Sequence, residues 1–239
     1  MIQIHTGLVC GWEAAVRGMR NPMNSWAKSD SFFCKNPDET CSVCESRHTE
    51  QCVDGFVVGS NDQKLMTTLR NAGTDHRKFM RMIVVYVDIV APLYWWKEFD
   101  TYKVGTVTNS CSTMHKIHEK EFTLDDFSHE HLTSWSMQGL EYTVEDLNLW
   151  RSIYLHGGSC GKERYYEPKD KEAWWQMIQL LPSSYNQKRT VMLNYEVLAN
   201  IYKSRKNHKL DEWQVFCKWI ETVPLSELIT GEEPAEVSD

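Results

Sequence analysis

The chain has 239 residues, 41% of them hydrophobic, which is enough to bury a sizeable core and far from a disordered composition. Its net charge of −7, from 26 basic and 33 acidic residues, gives the wrong overall field for non-specific nucleic-acid binding, though not for a local basic pocket. No apolar run approaches the ~20 residues of a membrane helix, and MIQIHTGLVCGWE lacks the segments of a signal peptide; a cytoplasmic protein with no membrane association is expected, its eight cysteines mostly reduced.

MIQIH reads as a first strand. Residues 12–20, WEAAVRGMR, read as a helix that Asn21-Pro22 ends. Residues 27–60 are polar and punctuated, as in an insertion or long loop. Residues 61–71 predict a helix capped by Asn61 or Asp62, with Leu65, Met66 and Leu69 on one face. AGTDH breaks the pattern, and a second helix is expected from His76. The β-branched run IVVYVDIVAP reads as a strand ending at Pro92, followed by a helix from about Leu93. Residues 122–154 read as helix in pieces, with caps at Thr123 and Thr143, and 156–170 as a loop. KEAWWQMIQLLP reads as a helix closed by Pro182, and 189–203 and 210–220 as two more; the acidic tail from 231 is expected to be disordered. Mostly helix with a few strands means α+β.

Three constellations carry chemical potential. The first is APLYWWKEFDTYKVGTVTNSCSTMHK, residues 91–116. A helix over 93–101 would put Lys97 with Thr101, and Glu98 with Tyr102, each pair on one face. The hydroxyl- and amide-rich loop after it suits a nucleotide base or phosphate; an amphipathic core helix with a capped end is the plainer reading. The second is residues 180–213, where Lys188, Arg189, Lys203, Arg205, Lys206 and Lys209 concentrate positive charge. A solvated basic face and a pocket for an anionic ligand both fit this run. The third is Cys34-x6-Cys41-x2-Cys44-x7-Cys52, with His48 inside it. Four thiolates within 19 residues can hold a structural zinc ion, and ordinary reduced thiols are the alternative.

The first two constellations together resemble the flavin-dependent thymidylate synthases. That family carries a signature of the form RHRxxSxNExSxR after a segment like APIFVARQW; here APLYWWKEFD leads into TYKVGTVTNSCST with the spacing kept. WEAAVRGMRNPMNSW, NDQKLMTTLRNAGTDH and LLPSSYNQKRTVMLNYEVLANIYKSRKNHKLDEWQV are similar to other family segments, so the resemblance covers most of residues 1–115 and 176–222. The signature's Arg-His-Arg stands as Thr101-Tyr102-Lys103, its Asn-Glu as Thr108-Asn109, its second Ser as Cys111 and its last Arg as Thr113. Lys103, Lys188 and Arg189 are the nearby cations available to compensate.

The resemblance implies an α+β, mostly helical fold with a small antiparallel sheet. It implies one domain over 1–230, a cysteine-rich insertion at about 31–56, and a homotetramer hiding Trp95, Trp96, Trp174 and Trp175 at its interfaces. It implies FAD as cofactor, dUMP as substrate, a folate as methylene donor and NADPH as reductant. Carried over position by position, the substrate-binding set is Glu98, Lys103, Asn109, Cys111, Ser112 and Arg205. The flavin-binding set is Thr74, His76, Tyr102, Lys103, Asn194 and Asn200, and no covalent protein nucleophile is required. The reading leans to an enzyme that methylates dUMP at C5 to dTMP, with a non-catalytic nucleotide- or flavin-binding protein on the same scaffold as the alternative.

Overall fold

A computed structural model describes residues 2–34, 52–53, 55–162 and 164–231. The chain is α+β and mostly helical, as the sequence predicts. It opens with β1 (Gln3–Cys10), longer than the expected MIQIH strand. Gly11, at φ 94°, turns it into α1 (Trp12–Arg20); a Cβ there would lie 2.0 Å from the Met82 carbonyl oxygen, so only glycine fits. Trp12, Ala15, Val16, Met19 and Arg20 recur at helical spacing and form the buried face of α1.

The region read as a long loop contains a 3-10 turn, Trp26–Lys28, and three short strands: β2 (Phe32–Phe33), β3 (Cys52–Val53) and β4 (Phe56–Val57). They pair antiparallel in the order β2-β4-β3. Next comes α2 (Ser60–Asn71). Its start is not capped by Asn61 or Asp62: the Asp30 carboxylate accepts from both of their backbone amides, at 2.9 and 3.2 Å, which leaves Asp62 to turn inward. The helix expected from His76 is a 3-10 turn, Arg77–Arg81. β5 (Val84–Pro92) and α3 (Leu93–Phe99) follow as expected. Because α3 stops at Phe99, Thr101 and Tyr102 lie beyond it, and the shared helical faces proposed for Lys97–Thr101 and Glu98–Tyr102 do not form.

After β6 (Val107–Ser110), Thr123 precedes a 3-10 turn at Leu124–Asp126, and one long helix, α4 (Ser134–His156), replaces the expected pieces. Its cap is Thr133; Thr143 lies inside, its hydroxyl donating back to the Gly139 carbonyl at 2.8 Å. β7 (Gly158–Ser159) and β8 (Tyr165–Tyr166) pair antiparallel within the expected loop, before α5 (Lys171–Leu180). The helix assigned to 189–203 is instead β9 (Asn186–Asn194) running into α6 (Tyr195–Arg205). Val191 and Leu193 alternate inward while Thr190 faces out, a period of two rather than 3.6. α7 (Asp211–Ile220) and α8 (Glu227–Thr230) complete the chain, and the main sheet has the order β1-β5-β9-β6.

The chain clusters into two compact units. The first contains the described residues of 2–3, 89–101 and 109–189; the second contains the described residues of 4–88, 102–108 and 190–231. In the first, α4 presents Leu140, Val144 and Leu147 to Met177 of α5, with Ile117, Phe122 and Phe127 closing the cluster. Trp95, Trp96 and Phe99 stack and edge on one another in the same unit. Both indoles are 0% exposed, so Trp95 and Trp96 are core rather than the subunit surface expected from the sequence. A tryptophan buries 150–250 Å², which at ~25 cal/mol/Å² favours burial by roughly 4–6 kcal/mol gross. In the second unit α6 is central: Tyr195, Val197, Leu198, Ala199, Ile201 and Tyr202 are buried, and the helix packs on α7, α8 and the 77–81 turn. Tyr195 meets Trp12 edge-on at 5.3 Å and donates its hydroxyl proton to the Pro224 carbonyl.

Candidate functional site

Most of the sequence-predicted residues of the second unit gather along α6. Asn194 caps it, its Oδ1 accepting from the Val197 amide at 3.1 Å. The 102–108 segment runs beside the helix. Gly105, at φ 79°, approaches so closely that a Cβ would lie 2.8 Å from Asn194 Nδ2 and 3.2 Å from Val197 Cγ2. Next to it, Thr106 Oγ1 is buried without a hydrogen-bond partner. About 16 Å along the helix by its rise per residue, Arg205 Nε donates to the Tyr102 hydroxyl at 3.0 Å. The Arg205 guanidinium lies 4.7 Å from the Trp213 ring centre and 5.8 Å from that of Tyr102. Lys103 is exposed. The structure therefore places Tyr102, Asn194, Asn200 and Arg205 on or against one helix, with Arg205 on aromatic faces.

Thr74 and His76 sit exposed in the turn after α2, where the amides of His76 and Arg77 both donate to the Gly73 carbonyl at 3.1 Å. This turn directs two arginines onto α6, which the sequence reading missed. Arg81 pairs through Nε with Glu196, and its Nη2 donates to Glu196 Oε1 at 3.3 Å. Arg77 Nε lies 3.5 Å from the same Oε1, and its Nη2 reaches Asn200 Oδ1 at 3.5 Å. The Glu196 side chain is 10% exposed, Arg77 19% and Arg81 55%. Hydrogen bonding to Glu196 holds the Arg81 guanidinium above its ordinary pKa. Burial, then repulsion from Arg77, lowers that of Arg70 nearby. The available signal was RKFMR, two arginines four apart in an acidic chain; reading 189–203 as one helix hid that Glu196 opens α6.

The first unit holds Glu98, Asn109, Cys111 and Ser112. The Glu98 carbonyl receives the Thr101 amide and hydroxyl at the end of α3. Asn109 and Cys111 are exposed on and just beyond β6. Ser112 Oγ accepts from the amides of Met114 and His115, at 3.2 and 3.0 Å, and so closes a turn. Arg189 lies 4.3 Å over the Trp96 ring, donates Nε to Gln187 Oε1 at 3.0 Å, and pairs with Asp100 at 2.7 Å. Gln187 in turn donates to the Cys111 carbonyl at 2.8 Å, and the Cys111 amide to the Lys188 carbonyl at 2.9 Å. Arg189 thus braces the segment carrying Cys111.

Elsewhere in the second unit, clefts of about 280 and 740 Å³ flank Arg20; neither is lined by a residue the sequence singles out for the site. Of the cysteines offered as zinc ligands, Cys41 and Cys44 lie outside the described residues, as does the side chain of Cys52; Cys34 is described. Among the described residues, no three His, Cys, Asp or Glu side chains are grouped to hold a metal ion. No described helix is long and apolar enough to cross a membrane.

No family model matches the sequence, and no curated protein matches it either. Solved structures do match. Thymidylate synthase X from Helicobacter pylori, solved with FAD and dUMP, superposes with a TM-score of 0.62 at 14% identity, covering 97% of this chain and 98% of that one. A second structure of the flavin-dependent thymidylate synthase from the same organism, complexed with FAD and dUMP, gives a TM-score of 0.60 at 14% identity, covering 95% and 99%. The fold is therefore that of the flavin-dependent thymidylate synthases, along essentially the whole chain.

Proposed function

We propose that this protein binds FAD and a pyrimidine nucleotide, and that it methylates dUMP at C5 to give dTMP, with a methylenetetrahydrofolate and NADPH as the other reactants. The observation that supports this best is the arrangement along α6. Asn194, Asn200 and Arg205 line one helix, the Gly105 cradle lies at its N-terminus, and Thr106 Oγ1 is left without a partner. A buried hydroxyl without a partner, beside a backbone that approaches closely, fits a polar ligand that would complete its hydrogen bonding. Thr74, His76, Tyr102, Asn194 and Asn200 would hold the flavin. Bound there, FAD supplies the redox and one-carbon transfer chemistry.

What the chain's own residues supply is binding and orientation. Arg205 is already fixed by Tyr102 and Trp213, so little further side-chain entropy is lost when it meets a phosphate. Lys103, exposed and next to Tyr102 in sequence, adds a second positive charge. Within the first unit, Glu98, Asn109 and Cys111 are the residues proposed to meet the nucleotide. Ser112 is the weakest member of that set, because its oxygen already accepts two amides. The functional assembly is a homotetramer in the cytoplasm.

A second reading is a nucleotide- or flavin-binding protein without catalysis. It is favoured by the locked state of Arg189 and Ser112, which leaves less of the first unit's polar chemistry facing a ligand. One experiment tests both readings and a second separates them. Purified protein with flavin absorbance, or one that takes up added FAD stoichiometrically, supports both. Rescue of a thymidine-requiring host that lacks any thymidylate synthase supports the enzyme alone. A colourless protein that takes up neither FAD nor dUMP would remove both.

A further inference from the structure

Helix α4 is apolar on two opposite sides. Leu140, Val144 and Leu147 form the side buried against α5. On the other side Trp135, Tyr142 and Leu149, spaced by seven, are 83%, 68% and 43% exposed. Seven residues make nearly two turns, so these side chains stand in one row about 21 Å long by the helical rise. A surface helix of a globular protein ordinarily turns a polar face outward, and an apolar row there is a second surface to cover. Single exposed apolar residues are ordinary; a row of them on a rigid helix is the pattern of an interaction site. This helix lies outside residues 1–115 and 176–222, which carry the family resemblance.

Gly139 adds a second, independent feature. It lies inside the helix beside this row, where glycine is destabilising relative to alanine. No described atom lies within 4 Å of the place its Cβ would take, so the chain's own packing gives no reason for the missing side chain. A notch between Trp135 and Tyr142 suits the close approach of another backbone. Charge then selects the occupant. Glu145 and Asp146 border Tyr142, one on each side of the row, with Glu141 beside them, and all three are exposed. From Ser134 to Trp150 the helix has no basic residue, and the next one, Arg151, donates Nε to the His118 carbonyl at 2.9 Å. A second copy of α4 would bring three more carboxylates to the same row. The chain's own tail, EEPAEVSD, is also acidic, and residues 35–51 contain no aromatic residue, leucine, isoleucine or methionine to cover the rings. We infer that the outer face of α4 docks a cationic amphipathic helix of another protein. Its apolar side chains cover Trp135, Tyr142 and Leu149 and approach closely at Gly139, and its lysines or arginines meet Glu141, Glu145 and Asp146. One helix on one helix is at the low end of interface sizes, so the contact is transient. The inference is independent of the nucleotide and flavin reading.

The test is fluorescence anisotropy of a labelled synthetic amphipathic helix of leucine and lysine, titrated with the full chain at physiological ionic strength. A scrambled peptide of the same composition and a leucine–glutamate helix are the controls. The leucine–lysine helix binds the wild type saturably, and both controls bind at least tenfold more weakly. Tyr142→Ser and Gly139→Gln each weaken binding at least tenfold, and Trp135→Ser several-fold. Gly139→Gln leaves the melting temperature unchanged or raised, which separates blocked docking from a damaged fold. The double variant Glu145→Lys, Asp146→Lys loses the leucine–lysine helix and takes up the leucine–glutamate helix instead, a reversal that a purely structural role for α4 does not give. A leucine–lysine helix that does not bind the wild type, or that binds Tyr142→Ser and Gly139→Gln as it binds the wild type, overturns the docking site. So does sedimentation showing that these two substitutions dissociate an assembly of this chain, since the face then belongs to a second copy.

Discussion

Two arginine–carboxylate clusters in the same unit make a useful comparison. Between α1 and α2, Arg20 meets Asp62 one to one at 2.5 Å, with side-chain exposures of 5% and 0%. Asp62 is saturated: Ser29 and Ser31 hydroxyls donate at 2.6 Å each, and the amides of Asp30 and Ser31 at 3.2 Å each. At α6, two arginines share one carboxylate, one of them 55% exposed, and a guanidinium nitrogen goes without a bond. A buried pair is tolerable only when its remaining lone pairs and protons are satisfied, and the first cluster meets that condition. The second does not, so the two clusters differ in whether their polar inventory closes.

The sharpest break in that comparison is Asp62→Ala. It leaves Arg20 buried without a counterion and should lower stability by about 3–5 kcal/mol, read from urea denaturation. A loss under about 1 kcal/mol would mean that Arg20 reaches solvent easily and that the two clusters are alike. The same residue sets an acid limit. Burial pushes the Asp62 carboxyl up, but hydrogen bonds from Ser29, Ser31 and Arg20, with the Arg20 charge, outweigh it and hold its pKa below the ordinary value. A depressed folded-state value contributes stability that is complete above the unfolded carboxylate value of about 3.9 and is lost as pH falls below it. Thermal unfolding of the wild type should therefore drop steeply below about pH 4, and Asp62→Asn should flatten that limb.

Arg205→Ala comes next, since Arg205 stacks on Trp213 and donates to the Tyr102 hydroxyl. If the proposed function holds, it weakens dUMP binding by about 2–4 kcal/mol in calorimetric titration, and Arg205→Lys recovers less than half. The ring contacts and the bond to Tyr102 add a stability loss of about 1–2 kcal/mol, so folding must be checked separately. Glu196→Gln should cost about 1–2 kcal/mol of stability, less than Asp62→Ala, because its arginines are partly solvated. Arg81→Gln, the most exposed member, should change stability by no more than about 0.5 kcal/mol. Should Arg81→Gln match Asp62→Ala in a denaturation series, the α6 cluster is a structural ion pair after all.

The sequence by itself determined the elements whose pattern fits inside one window. α1 and α5 are legible from apolar spacing and from Asn21-Pro22 and Pro182, α7 from apolar spacing, and β5 from a β-branched run closed by Pro92. Asn194, Asn200 and Arg205 were singled out because the resemblance preserved their residue types and spacing, and the structure puts them at the cap and along α6. The β9–α6 boundary was not legible, since no glycine or proline separates the two periods and only the Asn194 cap marks the change. What tertiary structure decided was partnership. Arg20 and Asp62 are 42 positions apart, and Arg81 and Glu196 are 115. Local periodicity encodes which face is apolar; it carries no information on which charge the closed chain delivers to which partner. The same holds for Trp95 and Trp96, whose aromatic character is plain in the sequence but whose complete burial depends on what the fold lays over them.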